Sequence, residues 1–101
     1  MAYSYTKITG NSAVSLITYE VKSKALSSIA MANIHASDGV LVDLYLDDST
    51  SAVDYYIIKD VSIPYGSTLI LEKEELEYDM ERFSLYIQLS AADSAVDVII
   101  R

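Results

Sequence analysis

Residues 54–71 read DYYIIKDVSIPYGSTLIL. A paired tyrosine leads into a β-branched run, and the chain's only proline and a glycine interrupt it before more apolar residues follow. In a strand, successive side chains point to opposite faces. On that period Tyr55, Ile57, Lys59 and Val61 share one face, and Tyr56, Ile58, Asp60 and Ser62 share the other. Ile63-Pro64-Tyr65-Gly66 then reads as a type I turn, with proline at its second position and glycine at its fourth. Residues 67–72 resume as a strand. Every residue has a structural reason, so the stretch reads as strand–turn–strand.

The same period recurs along the chain. Val40, Val42, Leu44 and Leu46 alternate with Leu41, Asp43 and Tyr45. Phe83, Leu85, Ile87 and Leu89 alternate with Ser84, Tyr86, Gln88 and Ser90, and Val96, Val98 and Ile100 with Asp97 and Ile99. Period two marks strands with one buried face. Further strands are predicted over 5–9, 14–21 and 26–35. Gly10-Asn11-Ser12, Lys22-Ser23-Lys24, Ala36-Ser37-Asp38-Gly39 and residues 47–51 supply the breaks, and 91–94 closes a last hairpin. Nine tyrosines and many β-branched residues suit a pleated, half-buried surface. The expectation is all-β: a single domain over 1–101, an antiparallel β-sandwich of about seven to nine strands, Ig-like or jelly-roll-like.

Residues 72–83, EKEELEYDMERF, fit two patterns. Leu76, Met80 and Phe83 have helical spacing, while Leu76, Tyr78 and Met80 alternate with Glu75, Glu77 and Asp79. The flanking strands favour an edge strand and a turn, with a short helix as the alternative. Charges on such an edge discourage pairing with stray strands.

Composition narrows the function. Without cysteine there is no disulfide and no thiolate zinc site. The start, MAYSYTKITG, lacks the pattern of a secretory signal, and no apolar run approaches the ~18 residues of a membrane span. An intracellular protein without a membrane partner is expected. Fifteen acids stand against seven bases, and all but Glu20 and Asp38 of those acids lie beyond residue 42. Duplex binding needs clustered cationic phosphate contacts, so no nucleic acid partner is expected. Acidity suits solubility or docking onto a basic partner.

Catalytic constellations are weak. His35 is the only histidine, and no G-x-S-x-G elbow accompanies it. It reads as a strand-end residue near a turn. Asp47-Asp48-Ser49-Thr50 with Asp54 offers oxygens to calcium, but the spaced acids and glycine of a calcium loop are missing. The acidic run 72–81 reads as a solvated face rather than a glycosidase pair, which needs one desolvated carboxylic acid. No glycine-rich loop cradles a phosphate. The expectation is a non-enzyme with no catalytic residues, no metal site and no cofactor.

Segment order adds a further reading. Ala32-Asn33-Ile34 is followed by a short loop and residues 40–46. Tyr55-Tyr56-Ile57-Ile58-Lys59 precedes Val61 and Ile63-Pro64-Tyr65-Gly66-Ser67-Thr68-Leu69. Leu85-Tyr86-Ile87-Gln88-Leu89-Ser90-Ala91-Ala92 precedes Ala95-Val96-Asp97-Val98-Ile99-Ile100. In this order and spacing the chain resembles small virion structural proteins of tailed bacteriophages, over residues 30–101. It departs from them before the penultimate strand, where Asp79-Met80-Glu81-Arg82 stands in place of a glycine-rich turn.

The resemblance implies a homo-oligomeric sandwich assembled in the host cytoplasm and located in the virion, bound to major capsid or neck and tail proteins. Capsid decoration or cement and a neck (head–tail connector) position are its first addresses; tail or baseplate is the alternative. It brings no catalytic residue. The interface residues expected for such docking are Tyr55, Tyr56, Tyr65 and Tyr78 as anchors, with Glu74, Glu75 and Glu77 steering toward a basic partner. The competing class is a carbohydrate- or calcium-binding module using Tyr65 and Tyr78 beside acidic loops, and a small hydrolase using His35 is the third.

Overall fold

The computed structural model describes residues 4–19 and 26–101. The alternating segments form eight strands among these residues: β1 (Ser4–Thr9), β2 (Val14–Ile17), β3 (Ser28–Asn33), β4 (Val40–Asp48), β5 (Asp54–Ile63), β6 (Thr68–Glu72), β7 (Phe83–Leu89) and β8 (Ala95–Ile100). Residues 20–21 of the second expected strand, and Lys22-Ser23-Lys24, lie outside the described residues.

The pairing follows one rule. β1 pairs with β8, β2 with β7, β3 with β6 and β4 with β5, all antiparallel. Ile8 faces Val96, Ile29 faces Leu71 and Leu46 faces Tyr55, so partners sit nearly symmetrically about the loop 49–53. The chain is one long hairpin with its apex at that loop. Rolling it up adds the pairs β3–β8 and β4–β7 and leaves two four-stranded sheets, β1-β8-β3-β6 and β2-β7-β4-β5. That order is the jelly roll, the second of the two expected architectures. We call the layers the β1 sheet and the β5 sheet. The inner side chains of both, such as Met31, Val42, Leu44, Leu85, Ile87 and Val98, are almost wholly buried.

Four local expectations are corrected. Residues 91–94 do not close a hairpin, because β7 and β8 lie in different sheets. The turn after β5 is shifted by one residue: Ser67 N–H donates to the Pro64 carbonyl at 3.1 Å. Gly66, at φ +74°, is therefore the third residue of a type II turn, where positive φ is required. Between Glu72, which ends β6, and Phe83, which begins β7, there is no further strand: Lys73–Leu76 is a 3-10 helix, and irregular chain follows up to β7. Leu76 is buried, and Tyr78 and Met80 pack on the core.

The fourth correction is in β5. Tyr56 faces Tyr45, Ile58 faces Leu44 and Val61 faces Val42, so β5 carries one extra residue in each interval. These are β-bulges, and they break the strict alternation. Ile57 and Ile58 both reach the core, instead of lying on opposite faces. Asp60 takes φ 54° at the second bulge, where its N–H donates to Asp43 Oδ1 at 2.8 Å.

At the end opposite the apex, buried Asn33 joins two connections. Its Nδ2 donates to the carbonyls of Asp38 and Ile63, both at 2.9 Å, and its Oδ1 accepts from His35 N–H at 3.0 Å. Asn33→Leu keeps the branched heavy-atom skeleton but removes all three side-chain bonds. It is expected to lower unfolding free energy by about 2–3 kcal/mol in urea titrations, whereas Asn11→Leu, at an exposed loop position, leaves it unchanged.

Candidate functional site

The apex end gathers most of the chemistry. In β4 the inward phase runs Val40, Val42, Leu44, Leu46 and then Asp48, so the alternation delivers a carboxylate to the interior. Its side chain is 1% exposed. A buried carboxylate needs partners, and Arg82 provides them: Nη2 donates to Oδ2 at 2.7 Å, and Nε to both oxygens at 3.2 Å. Thr50 adds its N–H at 2.9 Å and its hydroxyl at 2.8 Å, both to Oδ1. Ser49 N–H donates to the Arg82 carbonyl at 3.0 Å, so backbone and side chain together pin the apex loop to the segment entering β7. The Arg82 bonds, aided by Thr50, hold the Asp48 carboxyl well below the usual carboxylate range.

Aromatic residues flank this latch. Tyr55 is 53% exposed and meets Phe83 edge to face at 5.9 Å, and the Arg82 guanidinium lies 5.1 Å from the Phe83 ring centre. On the outer face of the β5 sheet, Tyr45 stacks on Tyr86 at 5.6 Å and meets Tyr56 at 5.1 Å. Tyr45 is buried beneath its neighbours, and that burial raises its phenol pKa. Val53, on the apex loop just before β5, is also exposed.

The expected interface set is therefore divided. Tyr55 and Tyr56 lie on the exposed edge strand β5 near the apex. Glu74 and Glu75, in the 3-10 helix, and Glu77 just after it are exposed in the connection that ends at Arg82. Tyr65 is exposed, but in the turn at the other end of β5, roughly 30 Å of strand away. Tyr78 was expected to be an exposed anchor; it is half-buried against the core. Arg82 and Phe83 are absent from the expected site residues, and Asp48 is there only as a candidate calcium oxygen and not as the partner of Arg82. The signal for Asp48 was present in the β4 pattern, as an acid on the inward phase.

The calcium reading of the apex loop loses its central ligand, since Asp48 turns inward onto Arg82. Asp47 and Asp54 face each other across β4 and β5. Desolvation, with a hydrogen bond and repulsion from Asp47, raises the Asp54 pKa.

Two other clusters carry polar chemistry. A groove of about 460 Å³ on the β5 sheet is lined by Asn11, Asp43, Tyr56, Lys59, Asp60 and Gln88, among others. Lys59 Nζ sits 3.5 Å from Asp43 and 4.8 Å from the Tyr56 ring centre, which it covers. At the end away from the apex, potential ligand atoms of His35, Asp38 and Asp93 lie within 4.8 Å of one another. His35 Nδ1 accepts from the N–H groups of Ser37 at 3.2 Å and Asp38 at 3.1 Å. The ring proton then belongs on Nε2, which faces Asp93 Oδ2 at 3.1 Å. Neither nitrogen keeps a lone pair for a metal, and the cluster acts as a loop brace.

No protein-family model matches the chain, and neither does any curated protein sequence.

Two stability predictions follow with opposite signs. The folded pKa of Asp48 is depressed, so its contribution is complete above the unfolded aspartate value of about 4 and is lost as pH falls through the folded value. Asp48→Asn should lower the melting temperature by several degrees at pH 7 and flatten the acid side of the stability–pH curve. The folded pKa of Asp54 is raised, so ionisation penalises the folded state as pH rises. Asp54→Asn should raise the melting temperature slightly at pH 7, and the gain should fade as pH falls below the unfolded aspartate value of about 4, where the Asp54 carboxyl is protonated in both states.

Proposed function

We propose that the chain is a non-enzymatic virion structural protein of a tailed bacteriophage, placed as capsid decoration, cement or neck component, and that it works by docking. The observation that carries this reading is the apex end. Exposed Tyr55 packs edge to face on Phe83, with exposed Val53 two residues before it, and the connection that enters β7 at this same end carries the exposed acids Glu74, Glu75, Glu77, Asp79 and Glu81. An aromatic anchor is the usual centre of an interface hot spot. The acids of this end would steer a basic partner surface toward it. The jelly roll is itself recurrent among capsid proteins, which supports the reading by analogy of fold. Tail or baseplate placement uses the same chemistry.

One observation favours a second reading. The Tyr56 groove offers the aromatic ring, amides and carboxylate that a sugar uses. Lys59 lies over that ring and competes with stacking, so a carbohydrate-binding module ranks below docking.

The docking reading predicts that mass spectrometry finds the protein in purified particles and that antibody-gold labels the head or neck. It also predicts that Tyr55→Ala weakens its recapture by stripped particles by about tenfold or more, while Tyr65→Ala does not. Absence from particles, together with glycan-array binding lost in Tyr56→Ala, would replace it with the carbohydrate reading.

A further inference from the structure

The outer face of the β1 sheet differs from the rest of the surface. One cross-strand row spans all four strands: Tyr5 faces Ile99, Ile99 faces Ala30, and Ala30 faces Ile70. Tyr5 is 74% exposed and Ile70 is 53% exposed. In the next row Lys7 faces Asp97, followed by Ala32 and Thr68. Lys7 Nζ donates to Asp97 Oδ1 at 2.7 Å, so these charges cancel within the face. Among the outward residues of its described strands, Glu72 alone adds a charge, at the edge. A hollow of about 340 Å³ lies beside Tyr5, Lys7, Asp97 and Ile99.

The opposite sheet sets Asp43, Asp47, Asp54 and Asp60 against Lys59. The apex connection adds Glu74, Glu75, Glu77, Asp79 and Glu81. In a chain of net charge −8, the described strand residues of this face thus combine an apolar row with a net charge of only about −1. Solubility alone would spread the charge over every face.

We infer that this face packs against the same face of a second copy, forming a two-fold dimer. The charge distribution selects that occupant. Two chains of −8 repel wherever their acids meet, and this is the face where they approach with least repulsion. A basic foreign partner would be drawn to the acidic sheet and apex instead. Small Ala30 and Ala32 on the inner strand β3 let two sheets approach to the usual spacing of about 10 Å. An isologous contact needs only this one self-complementary patch. Four strands of about six residues give a face of roughly 20 by 20 Å, or about 800 Å² over the two copies, below the size of a stable specific interface, so the dimer is a weak one that forms only at roughly tens to hundreds of micromolar. The inference does not depend on docking at the apex.

Sedimentation velocity on the full chain, from about 1 to about 300 μM, tests it. The wild type should pass from monomer to dimer over that range. Ile99→Lys and Ile70→Glu should each raise the dissociation constant by about tenfold or more. Leu41→Lys, at a 42% exposed site on the opposite sheet, should leave it unchanged. Circular dichroism checks the fold of each variant, and if Ile99→Lys unfolds, Ile70→Glu on the edge strand decides. A wild type that stays monomeric, or a dimer that survives in folded Ile70→Glu, overturns the proposal.

Discussion

The Asp48–Arg82 pair is the interaction on which the apex depends. The roll requires the chain to reverse between β4 and β5, and then to bring β7 back along β4. Both requirements meet at Asp48, the last residue of β4, which faces Phe83 in β7. Its buried carboxylate would be costly without a partner, and Arg82, immediately before β7, supplies one in the same arrangement that pairs β7 with β4. Thr50 fills the remaining acceptor capacity, so the short apex loop has a defined shape. The same arginine lies on Phe83, whose ring supports Tyr55. The folding constraint and the exposed aromatic patch are thus one construction.

Much of this was legible in the residues. Strands in one-sided layers announce themselves by period two, and β4, β7 and β8 follow their alternation closely. Failures occurred where geometry is set by a partner strand. The extra residues of β5 are invisible in its own sequence, because a bulge is defined only against β4. The 3-10 helix replaced an edge strand because Leu76, Tyr78 and Met80 pack under the sandwich end without needing a ladder. The proline–glycine turn was recognised, but its frame was not: both frames use the same residues, and the positive φ of Gly66 chooses between them.

The candidate site was less legible than the fold. Exposure of Tyr55 and Tyr56 follows from their place on an edge strand, but Tyr78 could be assigned a side only with its surroundings known. The latch joins residues far apart in sequence, and composition does not reveal such pairs. The surface then divides by charge. Among the described residues, the outer face of the β1 sheet carries an apolar row and little net charge, the β5 sheet is acidic and rich in tyrosine, and the apex combines aromatic and acidic groups.

A double-mutant cycle tests the central claim directly, with Asp48→Asn and Arg82→Gln measured singly and together by urea unfolding. The exposed Lys7–Asp97 pair, also 2.7 Å apart, is the control. If the latch holds the apex, the coupling between Asp48 and Arg82 is several times that of the control. The double variant then loses little more stability than Asp48→Asn alone. Equal coupling in the two pairs would mean that the roll closes without the latch, and would contradict the account.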